Sequence, residues 1–328
     1  GGCDFGCVFG AKSSVDQAII PRAERTGNLS LLTETRALKL ELDNAGEIKS
    51  VLCSNASGLQ QITAKAFVLA GGAIETPRLM LSAFSKVAPN GYANNTDQVG
   101  RYFMETVVAF LFVELKADIQ VFRGPPIDSR IWDFYKSKDK QTSGFVLGAA
   151  GYLYPGIGPT SKALKGTSIG RAHKQDMRNS FGNDLRLFAV TEQEPMAQNR
   201  VTLSEFNDDD QIPKVDVHSQ YSKRDMHTIK VMQAQLNKWA IATPTKNIGR
   251  FGNTSYRSSA THVGGTCRMG VDPNLSVVDA FGKVHGQTNC YITDASVLPT
   301  QGAGDSPSLT IQALALRTAE KIAADLKA

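Results

Sequence analysis

The sequence predicts a mixed α/β (α+β) protein of two domains, one built on a parallel sheet from separated stretches of chain and the other on an antiparallel sheet. Three observations carry this. Residues 66–70, Ala-Phe-Val-Leu-Ala, form a continuous apolar run of the sort buried in a parallel sheet, and Gly71-Gly72 turns it into a helix over 73–84. Residues 107–217 carry alternating strand-like runs between Gly/Pro/Ser-rich loops, the texture of an antiparallel sheet. After His262 the first pattern returns, as strand 289–293, loop 294–305 and a helix over 307–326.

At the start, Ser13-Ser14 offers hydroxyls to the exposed N–H groups of a first helical turn, so a helix is expected to residue 25, where Thr26-Gly27-Asn28 stops it. Residues 29–42 read as strand, Asp43-Asn44-Ala45-Gly46 as a hairpin turn, and 48–53 as the returning strand. In the middle of the chain the predicted strands are 107–115, 143–153, 185–192, 200–204 and 214–218, with a long loop over 156–166. Residues 222–240 form a helix with Ile229, Met232, Leu236 and Trp239 at spacings of three to four. Ser306 is the natural N-cap of the last helix and Pro307 its first residue, where a missing N–H costs nothing. The domain boundaries follow: 1–106 and 256–328 form one discontinuous domain, and 107–255 the other.

Composition excludes several classes. A chain of 328 residues, 41% hydrophobic and 20% charged, is an ordinary globular sequence rather than a disordered one. Lys and Arg exceed Asp and Glu by a net charge of only +5, without basic runs, so nucleic acid is not an expected partner. No stretch approaches the roughly 18 apolar residues of a membrane span, so a soluble or peripheral protein is expected, in the cytoplasm or the periplasm. The five cysteines are odd in number and scattered, which disfavours a disulfide framework, and Cys3-x3-Cys7 has no second Cys/His pair to complete a metal site. The opening Gly-Gly-Cys-Asp-Phe-Gly-Cys has neither an initiator Met nor a leader pattern, so the chain is expected to start inside a longer product.

Chemistry concentrates near the end. Among five histidines, only His262 sits in a glycine-rich turn, Thr-His-Val-Gly-Gly-Thr-Cys, that brings backbone close to a ligand. Taking hydride from an alcohol carbon requires a base for the hydroxyl proton, and His titrates nearest neutrality. The helix starting at Pro307 presents unpaired N–H groups and the positive end of its dipole to any electron-rich ring held there. Asp294 follows an apolar strand directly, at the carboxyl end where open α/β sheets bind ligands, and Gly71 and Gly72 hold the equivalent place after residues 66–70.

The ordered set Gly10-Ala11-Lys12-Ser13-Ser14, Val68-Leu69-Ala70-Gly71-Gly72-Ala73-Ile74-Glu75-Thr76-Pro77-Arg78-Leu79, Val99-Gly100-Arg101, Asn199-Arg200-Val201-Thr202-Leu203 and His262-Val263-Gly264-Gly265-Thr266-Cys267 resembles the glucose-methanol-choline (GMC) oxidoreductases. The resemblance runs over nearly the whole chain, in outline only through the middle domain. It implies FAD in a Rossmann-like domain of discontinuous segments, a substrate domain on an antiparallel sheet, and oxidation of a sugar or polyol-like alcohol. Electrons would pass from flavin to oxygen, a quinone or a cytochrome. By position His262 is similar to the family's catalytic His. Ala37 falls where the family meets the adenine end, Asp294 and Ala295 where it holds the ribityl and phosphate part, and Pro307 and Thr310 where the last helix meets the flavin ring.

Three departures qualify these expectations. The family's Gly-x-Gly-x-x-Gly phosphate cradle is not in these residues; an upstream segment or a partner subunit supplies it, or the product holds no FAD. The second hydrogen-bonding group on the substrate oxygen, His or Asn in the family, is here Ser306, preceded by Asp305. Ser can donate to a developing alkoxide, whereas an ionised Asp would repel it. Glu105-Thr106 stands where the family often has Asp-His. The alternatives to alcohol oxidation are a flavin-binding lyase or inactive paralogue, and a fragment that completes a FAD site with another segment.

Overall fold

The structure, a computed structural model, describes residues 10–11, 13–120, 127–137, 139–151, 169–180, 182–248, 255–258 and 262–327. Cys3, Cys7, Lys12, the 156–166 loop and Thr261 lie outside the described residues. Two compact units emerge: one comprises Thr33–Val107, Thr191–Met226 and Ser258–Ala328, and the other Gly1–Leu32, Val108–Val190 and His227–Arg257.

In the first unit, strands Phe67–Leu69 and Cys290–Ile292 pair in parallel, with Cys290 opposite Phe67 and Ile292 opposite Leu69. Phe67, Leu69, Cys290 and Ile292 are buried with Leu40, Met80, Tyr92, Val99, Cys267 and Val278 in one apolar core. Val68 is 47% exposed, so the run is covered on one face where the sequence predicts burial throughout. The hairpin forms as predicted: Arg36–Leu42 pairs antiparallel with Ile48–Asn55, and the Asp43 carboxylate caps the turn through the N–H groups of Ala45 and Glu47. A third strand, Gly58–Ile62, joins it; its Gly-Leu-Gln-Gln-Ile sequence is mostly exposed and has too little apolar periodicity to be read as a strand. The hairpin Arg200–Asn207 with Pro213–His218 also belongs to this unit.

The carboxyl ends of the two parallel strands are closed by Asp294. Its Oδ2 accepts the Gly72 N–H at 2.9 Å and the Thr76 hydroxyl at 2.5 Å, and its Oδ1 accepts the Ser296 N–H at 2.7 Å. One acid thereby satisfies the start of the helix Gly72–Leu81 and the 3₁₀ turn Ala295–Val297. Gly72 takes φ +79°, a left-handed value that glycine adopts without strain, and this aims its N–H at the acid. The helix then buries Ala73 and six of its residues from Thr76 to Leu81.

The second unit holds a six-stranded sheet in the order Thr245–Ile248, Thr106–Leu115, Asp184–Glu192, Phe145–Gly151, Ile127–Ile131, with Ser255–Ser258 also on Thr106–Leu115. Its outer pairs are antiparallel. The helix Lys223–Ala242 buries Ile229, Met232 and Leu236 as predicted, and Ala240 in place of Trp239 completes the stripe. The helix expected up to residue 25 is instead two short turns, Val15–Ala18 and Ile20–Glu24, without a side-chain cap from Ser14. Pro21 is the cause, since it has no N–H to give to the preceding turn. The helix Gly170–Ser180 was not predicted because its Gly-Arg-Ala-His-Lys-Gln-Asp-Met-Arg-Asn-Ser sequence has hardly any apolar stripe.

Asp294→Asn would turn an amide donor toward groups that are themselves donors. We expect a loss of about 2–4 kcal/mol, from buried hydrogen bonds worth about 1–3 kcal/mol each when a partner is stranded, read from urea unfolding. A variant as stable as the parent would show that the acid does not hold the strand ends.

Candidate active site

His262 opens a segment whose backbone is gripped from both sides. On one side Gly264 and Met104 exchange both backbone hydrogen bonds, at 2.9 and 3.1 Å, and the Gly100 N–H donates to the Thr266 carbonyl at 2.7 Å. On the other, the N–H groups of Gly265, Cys267 and Met269 donate to the carbonyls of Ala295, Ser296 and Val297. The fit demands glycine at 265, where φ is +88° and a Cβ would lie 1.9 Å from the Tyr102 carbonyl oxygen. The glycine pair read from sequence as room for a ligand therefore also gives room to the chain's own backbone.

The His262 ring is half-buried. Its Nδ1 lies 3.0 Å from the Thr106 hydroxyl, and its carbonyl accepts a hydrogen bond from the Gln301 side chain. Burial pulls the ring's pKa below the ordinary histidine value, while the negative charge of Asp305 pulls it back up. Asp305 is thus electrostatically coupled to His262. Its carboxylate also accepts the Ser306 N–H at 2.8 Å. The exposed Ser306 hydroxyl shares a 3.2 Å hydrogen bond with Ser308.

Ser306 does not cap the last helix as predicted. The helix spans Ser308–Asp325 with Pro307 at the N-cap position and no side-chain cap, because the first backbone bond runs from the Ile311 N–H to the Pro307 carbonyl. Thr310 is exposed in its first turn, whose N–H groups remain open to an anion or an electron-rich ring.

The remaining sequence-predicted residues fall into two groups. Ala37 and Gly71 line one cavity of about 510 Å³, together with Arg36, Cys53, Phe67 and Glu75. Its volume suits a small-molecule site, commonly about 300–1,000 Å³. Gly72, Asp294 and Ala295 meet instead at the strand ends, where the Asp294 carboxylate and the Ala295 carbonyl both bond to the protein itself.

Sequence reasoning missed three residues at the His262 seat: Thr106, Gln301 and Glu192. In the sequence Thr106 stands out only as a departure from Asp-His. Gln301 and Glu192 carried no local signal, since their link runs through the fold: Glu192 accepts from the Thr300 hydroxyl and, at 2.9 Å, from the Gln301 N–H.

Two family models described as GMC oxidoreductase match residues 1–104 and 195–315. The chain is 31% identical over 327 residues to 6'''-hydroxyparomomycin C oxidase of Streptomyces lividus, covering 98% of this chain and 57% of that protein. It is 30% identical over 332 residues to paromamine 6'-oxidase of Streptomyces fradiae, again covering 98% and 57%. The chain therefore spans little more than half the length of these relatives. Among solved structures, pyridoxine 4-oxidase from Mesorbium loti shares the fold at a TM-score of 0.65 and 18% identity, covering 94% of this chain and 60% of that one.

A histidine whose folded pKa is depressed binds fewer protons folded than unfolded, so its contribution to stability is lost as pH falls from the unfolded value of about 6.5 toward the folded one. We expect His262→Gln to flatten that acid-side decline in denaturation midpoints measured from about pH 5 to 8. An unaltered slope would mean that His262 is not held neutral by burial.

Proposed function

The chain belongs to the GMC oxidoreductase family, and from that premise we propose that it oxidises the CH–OH group of a sugar or polyol-like alcohol on FAD, with His262 taking the hydroxyl proton. The observation that carries this reading is the seat of His262: a half-buried ring with Nδ1 against the Thr106 hydroxyl, where burial favours the neutral form and the charge of Asp305 opposes it. A neutral imidazole can accept a proton, and a nearby anion stabilises the cation that results.

With Nδ1–H donated to the Thr106 hydroxyl, Nε2 keeps its lone pair for the substrate. Thr106 is then the group that orients the ring. Ser306 donates to the substrate oxygen, while Asp305 favours the imidazolium and so serves the histidine rather than the alcohol.

Two features support a flavin. The cavity bearing Ala37 and Gly71 lies along Phe67–Leu69 and its carboxyl end, where open α/β sheets take ligands, and the uncapped start of Ser308–Asp325 suits the electron-rich side of the ring. Ala37 would meet its adenine end, Gly71 and Gly72 would allow it a close approach to the strand end, Asp294 and Ala295 would lie beside its ribityl and phosphate part, and Pro307 and Thr310 would meet the ring. A bound FAD would supply a two-electron acceptor for hydride at its N5, with oxygen, a quinone or a cytochrome as the onward acceptor. The parallel-sheet unit is read as the cofactor domain and the antiparallel sheet as the substrate domain. The names of the two Streptomyces oxidases support oxidation of a sugar-like alcohol.

A second reading is that these residues complete a flavin site with another segment or subunit. It is favoured by the absence of Gly-x-Gly-x-x-Gly from the sequence and by the 57% coverage of the relatives. Absorbance in the flavin bands of the purified chain separates it from the first.

Anaerobic mixing with sugars should bleach the flavin, whereas a lyase or inactive paralogue would leave the flavin oxidised. His262→Ala should retain flavin and slow the bleaching by about 10²–10⁴-fold, as for a lost general base; unchanged stopped-flow kinetics would overturn the assignment.

A further inference from the structure

The geometry points to Glu192 as a positioning residue that ties the His262 seat to the loop carrying Asp305 and Ser306, and whose charge state sets how firmly that tie holds. Its carboxylate accepts two hydrogen bonds from consecutive residues of the loop, the Thr300 hydroxyl and the Gln301 N–H. The Gln301 side chain then donates to the His262 carbonyl. Gln301 is also wedged against the gripped segment, since a Cβ on Gly264 would lie 2.8 Å from its Nε2. Beyond it the loop settles on the backbone beside Glu192. Gly304 takes φ +82°, and a Cβ there would lie 2.3 Å from the Thr191 carbonyl carbon. Thr191 and Glu192 thus form the floor under residues 300–304, with His262 at one end of the connection and Asp305 at the other.

Hydrogen bonds to an ionised carboxylate are stronger than those to a neutral one, so the tie depends on Glu192 being charged. Burial pushes its carboxyl above the ordinary range, opposed by the bonds from Thr300, Gln301 and Gly302 and by the charge of Arg224. Other titratable groups lie close by: Asp225 accepts the Glu194 N–H, Glu105 is joined through its backbone carbonyl to the Gln193 N–H, and the charge of Asp305 acts on His262. Glu192 is shifted up while His262 is shifted down, which narrows the interval between their titrations. Protonation of Glu192 would slacken the loop on the acid side, separately from protonation of the base.

The inference depends on the proposed role of His262 for its catalytic consequence but not for its test. Two-dimensional NMR of the chain without substrate follows the His262 imidazole and the Gln301 side-chain amide against pH. The Gln301 amide should report a second protonation step besides the one it shares with His262. Glu192→Gln should abolish the second step and leave the His262 step in place. Thr300→Val, which removes a bond that favours the charged carboxylate, should move the second step to higher pH. A single step in the parent, or a second step unchanged in both variants, would overturn the proposal. Failure of flavin bleaching would count against alcohol oxidation, and unchanged bleaching in His262→Ala against the base, and either would leave this measurement untouched.

Discussion

The Asp294 carboxylate is the constraint on which the first unit depends. It joins the amino end of the helix Gly72–Leu81 to the turn Ala295–Val297 across a sequence separation of 222 residues. The carbonyls of that turn hold the segment after His262, and the same segment is gripped on its far side by Gly100 and Met104. The histidine is thus positioned by a stack of backbone ladders, with its ring Nδ1 against the Thr106 hydroxyl. Rigid backbone holds a side chain more closely in place than a free loop does.

Electrostatics at the site follows from burial acting in opposite directions on acids and bases. The same partial exclusion of water lowers His262 and raises Glu192, because in each case the charged form loses hydration. The buried thiols show burial outweighing the hydrogen bonds that oppose it: Cys290 is pushed up to about 12, and Cys267 is also raised. These cysteines act as core residues, and Cys267 rests its sulfur against Met80. The Cys in the Gly-Thr-Cys run therefore marks packing below the histidine rather than a second reactive group.

Much of this was legible in the sequence because it is encoded by local pattern. The apolar run at 66–70, the strand at 289–293, the hairpin turn at Asp43 and the stripe Ile229, Met232, Leu236 all appear where spacing puts them. The glycine-rich turn that singles out His262 among five histidines is also where the backbone is gripped most closely. What could not be read is whatever depends on residues that meet only after folding. Gln301 and Glu192 are polar residues in unremarkable surroundings, and their significance lies in one bonding to the other and then to His262. The Ser306 cap failed for a different reason, because Pro307 took the N-cap position and the hydroxyl bonded to Ser308 instead. Asp294 was found by its place at a strand end, yet its carboxylate turned out to be bonded to Gly72, Thr76 and Ser296.

The parallel pairing of Phe67–Leu69 with Cys290–Ile292 also bears on how the molecule comes into being. Parallel strands so distant in sequence incur a large loop-closure cost before any contact rewards it, which slows folding. On a ribosome, the first of these strands would emerge long before its mate. Until residues 290–297 are synthesised, neither the mate of that strand nor the carbonyls that hold the His262 segment exist. The segment after His262 therefore cannot be held on both sides until residues 295–297 have been made, however early its partners at Gly100 and Met104 emerge.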